Sequence, residues 1–163
     1  FEGFSNISAI SPGVLGLTGM ETGEIVQGVC EKTHPSAIIA IDALASRKVS
    51  RLCRTIQLAD TGITPGSGIA GGRSALDREH LQVPVIAIGV PTVVDAYTLA
   101  ADLCEQSGTV LHAENCLPGD CTMVVTPKDI DLLMRKSAKV IGYAINIALH
   151  GGLSIPEMEE LLA

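Results

Sequence analysis

The chain carries one unbroken apolar run that stops on a carboxylate, Ala37-Ile38-Ile39-Ala40-Ile41-Asp42. A short run of this kind is typical of a strand that is buried on both faces of a parallel sheet. In open α/β sheets, ligands and catalytic groups gather at the carboxyl ends of the strands. We therefore predict that Asp42 lies at such an end, where it either belongs to a functional site or caps the next helix.

Outward from this run, the sequence alternates between strand and helix patterns. Further strands are predicted over residues 55–59, 84–90 and 123–125. Helices are predicted over 22–32, 93–105 and 127–149, with a helical or turn segment over 43–52 and a short last helix starting at Ser154 and Pro156. This alternation predicts an α/β fold with a mostly parallel sheet. Without an internal repeat or a linker, residues 1–163 are expected to form a single α/β domain.

Composition limits the classes of function. The 163 residues are 47% apolar but only 2% aromatic, which predicts an aliphatic core. The net charge of −7 argues against a nucleic-acid partner. No apolar run reaches the length of a membrane span and no signal peptide opens the chain. The five cysteines are odd in number and irregularly spaced, so we expect reduced thiols and a cytoplasmic protein.

Two motifs resemble functional sites, but the surrounding sequence argues against both interpretations. Asp60-Thr61-Gly62 matches the active-site triplet of pepsin-like and retroviral aspartic proteases, but those are all-β proteins in which two triplets meet. A solvated turn is the better interpretation of a single copy in an α/β chain. Pro65-Gly66-Ser67-Gly68 lacks the ending of a phosphate-binding loop and the glycine spacing of a dinucleotide site, so it is interpreted as a mobile loop beside the site.

Histidine and cysteine give no ligand pattern for a metal. The histidines share no metal-ligand spacing; they are His34, His80, His112 and His150. Cys116 and Cys121 lie five apart without a second pair. The sequence therefore predicts no metal and no cofactor, although a lone catalytic cysteine stays open beside the commoner inert thiol.

Hydrolysis of a peptide by carboxylates needs two of them. One takes a proton from water and the other gives a proton to the leaving amine. The sequence offers Asp42 and no obvious second member. Asp95 either reaches the same sheet edge as Asp42 or satisfies backbone donors in the first turn of a helix, and we favour the second interpretation.

Several blocks together resemble one known family, the germination protease of spore-forming Firmicutes. The matching blocks include Ile39-Ala40-Ile41-Asp42-Ala43-Leu44-Ala45-Ser46-Arg47, and they extend over residues 10–22, 60–68, 83–95 and 124–131. The resemblance covers nearly the whole chain.

The resemblance implies an endopeptidase that degrades small acid-soluble spore proteins during spore germination, by atypical aspartic-type hydrolysis. It further implies a zymogen, a homotetramer, a location in the forespore or spore core, and no direct contact with nucleic acid or membrane. The implied fold is a three-layer α/β sandwich similar to that of the hydrogenase maturation endopeptidases, which is phosphorylase/hydrolase-like.

The resemblance also assigns one catalytic residue. The family uses two aspartates, of which one matches Asp42, whereas the other lies in an upstream segment without a counterpart here. The chain is thus expected to be the C-terminal portion of a longer peptidase and inactive alone. Two alternatives stay open: a purely structural and assembly portion, or a metal-dependent maturation-type endopeptidase. Thr64 disfavours metal, because relatives carry histidine there.

Overall fold

The structure, a computed structural model, describes residues 4–13, 15–65, 74–109 and 123–161. The elements in chain order are α1 (Leu15–Thr18), α2 (Thr22–Thr33), β1 (Ile38–Ser46), a 3₁₀ helix (Val49–Arg51), β2 (Gln57–Ala59), α3 (Arg78–Leu81), β3 (Val85–Asp95), α4 (Ala96–Gln106), β4 (Val124–Val125), α5 (Ile130–Leu149) and α6 (Ile155–Leu161). The predicted α/β class is confirmed.

The described strands form one sheet in the order β1-β3-β2, with β4 paired to the far end of β3. β1 and β3 are parallel, from Ile38 opposite Val85 to Ser46 opposite Val94. β2 and β4 are both antiparallel to β3. The sheet is therefore mixed, and the prediction of a mostly parallel sheet is wrong. Parallel neighbours need a long crossover connection, and the described residues between β2 and β3 supply only the one-turn helix α3.

Both long strands continue where helices were predicted. β1 runs four residues beyond Asp42 to Ser46, so Asp42 lies inside the strand and the prediction that it ends the strand is wrong. β3 runs through Pro91 to Asp95, and α4 begins only at Ala96. The two strands extend together, because residues 43–46 of β1 find partners among residues 90–94 of β3. A register shift after Leu44 accommodates the proline, which has no N–H to donate.

The core of residues 12–128 is aliphatic, as predicted. It consists of Val26 from α2, Ala40 and Val85 from the two parallel strands, and Leu76 and Leu81 near α3. Helix α2 was predicted within one residue of its observed end. Its N-terminal cap was wrong, since the residue before the helix is Glu21 rather than Thr22.

The opposite face of the sheet departs from the prediction that β1 is buried on both sides. Ile41 is 56% exposed, and Leu58 on β2 and Ile86 on β3 are 71% and 44% exposed. The register puts Ile41, Ile88 and Leu58 on the same face. Three strands thus leave apolar side chains uncovered by the described residues.

The chain consists of two compact units, of which residues 12–128 are one. The second unit contains residues 4–11 and 129–161. Within it, Ser5 donates from its hydroxyl to the Leu149 carbonyl at 2.6 Å, and Lys139 pairs with Glu159 at 3.1 Å. The single-domain organisation stays a prediction. Helix α5 starts at Ile130, three residues later than predicted.

Candidate active site

Asp42 lies in the middle of β1, directly opposite Gly89 of β3. Its side chain is half-buried, and its Oδ1 accepts a hydrogen bond from the Ala43 backbone N–H at 2.8 Å. No helix begins at Asp42, so the alternative that it caps a helix is excluded. Because side chains alternate along a strand, Asp42 shares a face with Ala40 and Leu44. The carboxylate is therefore held by a paired strand rather than by a loop.

Gly89 allows close packing next to this carboxylate. A Cβ atom built on Gly89 would overlap the Cγ and Cδ1 atoms of Leu44. The Leu44 side chain thus occupies the space above Gly89, two residues along β1 from Asp42. Leu44 and Gly89 therefore pack closely at the level of the candidate site, and the β3 position opposite Asp42 carries no side chain.

Asp95 has a different role, which confirms the interpretation that we favoured. It precedes α4 as its N-cap, and its Oδ1 accepts from the Thr98 backbone N–H at 3.0 Å. At 3.3 Å per residue, Asp95 lies about 20 Å along β3 from Gly89, the residue opposite Asp42. The structure therefore does not bring the two predicted carboxylates together.

The Asp60-Thr61-Gly62 triplet forms an exposed bend after β2, which confirms the turn interpretation. Gly62 has φ +83°, and a Cβ there would overlap the Leu76 carbonyl oxygen. Ile63 and Leu76 exchange backbone hydrogen bonds of 2.9 and 2.7 Å just beyond the bend. The glycine is thus required by a tight approach of two backbone segments. The predicted loop of residues 65–68 lies outside the described residues apart from Pro65.

The described histidines lie in separate places. His34 ends α2 in a left-handed conformation, and His150 is buried at the end of α5, where its Nδ1 accepts from the Ser5 N–H. His80 pairs with Asp77 at 2.7 Å. Over residues 4–13, 15–65, 74–109 and 123–161, no three histidine, cysteine or acidic side chains are grouped to hold a metal ion. His112, Cys116 and Cys121 lie outside those ranges.

The Asp77–His80 pair changes the charge state of both groups. Hydrogen bonds from the backbone N–H and then the ring of His80 lower the pKa of Asp77. The same carboxylate raises the pKa of His80 through its hydrogen bond and its charge. His80 is exposed and Asp77 is partly exposed, and Asp77 also caps α3 by accepting from the His80 N–H at 2.9 Å. This dyad stabilises a helix end.

A hollow of about 200 Å³ lies where β1 and β3 actually end. We call it the strand-end hollow, and its polar lining consists of Arg47, Lys48, Tyr97, Thr98, Asp102 and Glu105. Sequence reasoning missed it because the end of β1 was placed four residues too early. The signal that would have found it is the basic pair that directly follows Ser46.

Comparison with known proteins identifies the class of protein. A family model for a peptidase, described as germination protease, matches residues 1–106. Relatives called germination protease match nearly the whole chain. That of Caldanaerobacter subterraneus subsp. tengcongensis is 46% identical, over 96% of this chain and 56% of its own length. That of Bacillus pumilus is 59% identical, over 96% of this chain and 57% of its own length.

The chain belongs to the germination protease family. A third relative, from Clostridium acetobutylicum, is 41% identical over 98% of this chain and 56% of its own length. The chain therefore spans little more than half the length of the curated relatives that it matches. None of the described helices combines the length and the apolar character needed to cross a membrane.

Proposed function

We propose that the protein to which this chain belongs is an endopeptidase that degrades small acid-soluble spore proteins during spore germination. The observation that carries the proposal is the match to germination proteases, up to 59% identical, over 96% of the chain. In addition, the family model matches residues 1–106, which contain Asp42. The forespore or spore core is the proposed location, and a zymogen and a homotetramer are the proposed forms.

Asp42 is the proposed catalytic carboxylate of this chain. Its place supports the role in two ways: it caps no helix, and it is held on a long paired strand. A fixed backbone keeps a reacting group within the narrow range of positions that catalysis requires.

The reaction needs a second carboxylate, which we place in the part of the protein outside this chain. One carboxylate removes a proton from water while the water oxygen bonds to the peptide carbonyl carbon. The other, in its acid form, protonates the amide nitrogen as the C–N bond breaks. In the described sheet, β1 has a partner on one side only, so its other edge is free to pair with a further strand that carries this group.

The uncovered apolar face supports a split between this chain and another part of the protein. Ile41, Ile86 and Leu58 lie exposed on three strands of one sheet, which is the composition of an interior rather than of a surface. The relatives have more than 40% of their length outside the matched region. That additional length is sufficient to supply both the cover and the second aspartate.

The second candidate function is that of an inactive structural and assembly portion. The observation that favours it is again the share of the relatives' length, because 44% of that relative lies outside the match and has room for the second aspartate that the resemblance implies. In that case the 163 residues contribute Asp42 and an interface but hydrolyse nothing alone.

The test compares cleavage of a small acid-soluble spore protein by this chain and by the full-length processed protein. We expect only the full-length protein to cut, and a chelator to leave the rate unchanged. Cleavage by the chain alone would contradict the split site and direct attention to Asp60 and Asp95. Loss of activity with chelator, and its return with nickel or zinc, would favour the metal-dependent alternative instead.

A further inference from the structure

One row of the sheet places a glutamine in line with Asp42. The register sets Asp42 of β1 opposite Gly89 of β3, and Gly89 opposite Gln57 of β2. Residues that pair directly across a sheet share a face, so Asp42 and Gln57 lie on the same face. We infer that the Gln57 amide donates a hydrogen bond to the carbonyl oxygen of the cleaved peptide bond, while Asp42 activates the attacking water. This inference rests on the proposed peptidase function.

Across these three strands, the space between the two side chains is apolar. Gly89 contributes no side chain, and the Leu44 side chain occupies the space above it. The row therefore has a carboxylate at one end, an aliphatic floor in the middle and a primary amide at the other end. A peptide group that lies over this floor meets polar side chains of the row at its two ends.

The strand spacing matches the length of the reacting array. Neighbouring strands lie about 4.8 Å apart, so the backbones at Asp42 and Gln57 are about 9.6 Å apart. A carboxylate oxygen holds water at about 2.7 Å, and that water attacks a carbonyl carbon from about 3 Å. The carbonyl oxygen accepts an N–H at about 2.9 Å. With the carbonyl bond included, the array is about 10 Å long, which fits the gap between the two side chains.

Gln57 is suited to the role of donor. Its side chain is exposed and forms no hydrogen bond within the part of the chain that the structure describes. It is the one polar residue of β2, beside Leu58 and Ala59. A primary amide donates N–H and has no acidic proton to exchange with Asp42. A donor that is held in place where negative charge develops stabilises the transition state more than the substrate.

The two groups account for the addition step. The water oxygen bonds to the carbonyl carbon as Asp42 takes a proton from the water, and the π electrons of the C=O bond move to the oxygen, where Gln57 N–H stabilises the charge. The C=O bond then re-forms as the C–N bond breaks, and the second carboxylate protonates the leaving nitrogen. Asp42 is therefore the base of the pair, and the carboxylate outside this chain is the acid.

The test measures cleavage by the full-length processed protein of a peptide that spans a bond cut in a small acid-soluble spore protein. Gln57→Leu removes the amide at similar size and should lower kcat about 100-fold, because the contact strengthens in the transition state. KM should change by less than about twofold. Gln57→Asn, one methylene shorter, should give an intermediate kcat. The matched control is Gln27→Leu, which removes an exposed glutamine from α2 and should change neither constant.

A binding measurement separates this role from a purely structural one. The probe is the same peptide with a difluoromethylene ketone in place of the cleaved bond, which hydrates to a tetrahedral diol. Gln57→Leu should weaken binding of this probe about tenfold, the equivalent of one hydrogen bond. The Kd of the uncut peptide, measured by fluorescence anisotropy in proteins that carry Asp42→Asn, should stay the same with and without Gln57→Leu.

A kcat within about threefold of wild type in Gln57→Leu would overturn the inference, and so would an equal loss of affinity for the diol and for the uncut peptide. Urea unfolding checks that each variant is folded, and Gln57→Asn carries the test if the leucine variant is not. Failure of the proposed function gives a different result, since wild-type protein would then cleave none of the peptides, and the role of Gln57 would end with it.

Discussion

Asp42 and Asp95 lie on neighbouring parallel strands, yet they do different things. Asp95 stands at the true end of β3, where its carboxylate holds the Thr98 N–H at 3.0 Å and starts α4. Asp42 stands in mid-strand opposite Gly89, away from any helix start. The carboxylate at the strand end caps a helix, whereas the one inside the paired strand does not. The difference shows that position at a strand end is weak evidence for catalysis.

Asp77 belongs with Asp95 in this comparison. It accepts the backbone N–H of the residue three positions later, His80, just as Asp95 accepts that of Thr98. Both contacts satisfy a backbone donor that a helix start leaves unpaired. The predictions below separate these two capping aspartates from the proposed catalytic aspartate.

The largest expected effect is on catalysis. In the full-length protein, Asp42→Asn should lower kcat/KM about 100-fold to 10,000-fold, because an amide neither takes nor gives the proton. The free energy of unfolding should stay within about 0.5 kcal/mol, since the side chain keeps its size. Peptide turnover and urea unfolding measure the two quantities. Unchanged turnover would end the assignment of Asp42.

The second-largest expected effect is on stability and comes from the packing beside Asp42. Gly89→Ala puts a methyl group where Leu44 lies and should destabilise the protein by about 1–3 kcal/mol. Leu44→Ala in the same protein should recover part of that loss, because it vacates the contested space. Urea unfolding of the two single variants and the double variant gives the coupling free energy between positions 44 and 89. Additive effects would mean that the Leu44 side chain does not occupy the space that the alanine methyl group needs.

Removing the helix cap at Asp95 should have a smaller effect, which is limited to the stability of the protein. Asp95→Ala should cost about 1 kcal/mol, because the Thr98 N–H loses its acceptor. Asp95→Asn is the control, since asparagine caps equally well. Activity measured below the unfolding transition should be unchanged in both variants. A large loss of kcat in Asp95→Asn would place Asp95 in the catalytic pair and remove the contrast with Asp42.

The smallest expected effect is the pH dependence of stability from the Asp77–His80 pair, in which His80 is exposed and Asp77 is partly exposed. The His80 pKa is raised from 6.5, so its contribution is present below about pH 6.5 and is lost as pH rises through the folded pKa. The Asp77 pKa is lowered from 3.8, so its contribution is present above about pH 3.8 and is lost as pH falls through the folded pKa.

The pair therefore stabilises most between about pH 4 and 6.5. His80→Gln keeps the backbone cap and removes only the ring. Its destabilisation, measured by thermal unfolding across pH, should be greatest in that window and should shrink above it. A loss that is constant from pH 5 to 9 would mean that the charge on His80 contributes nothing.

Sequence patterns that span only a few residues gave correct predictions of local structure. The spacing of apolar residues found α2 nearly to the residue, and the turn chemistry of Asp60-Thr61-Gly62 identified an exposed bend. The motif blocks gave the family, which the comparisons confirm. These features depend on neighbours in sequence, which is why a single chain was enough to recognise them.

The lengths of β1 and β3 depend on pairing between segments that are distant in sequence, which a local pattern does not contain. Residues 43–46 carry no strong strand signal, and the β-branched Thr92-Val93-Val94 follow a proline that points to a helix start. Each strand nevertheless supplies backbone partners of the other over 45 or more positions of chain. Pro91 in particular predicts a helix start, and the register shift after Leu44 removes its cost.

The amino-acid sequence by itself determined the α/β class, the aliphatic core, the family and the identity of Asp42 as a candidate carboxylate. Only the tertiary structure decided that Asp42 lies in mid-strand, that Asp95 caps α4, and that Arg47 and Tyr97 share a hollow at the real strand ends. The physical reason is that backbone hydrogen bonds between distant segments set where a strand stops. That end point fixes which side chains meet at the edge of the sheet.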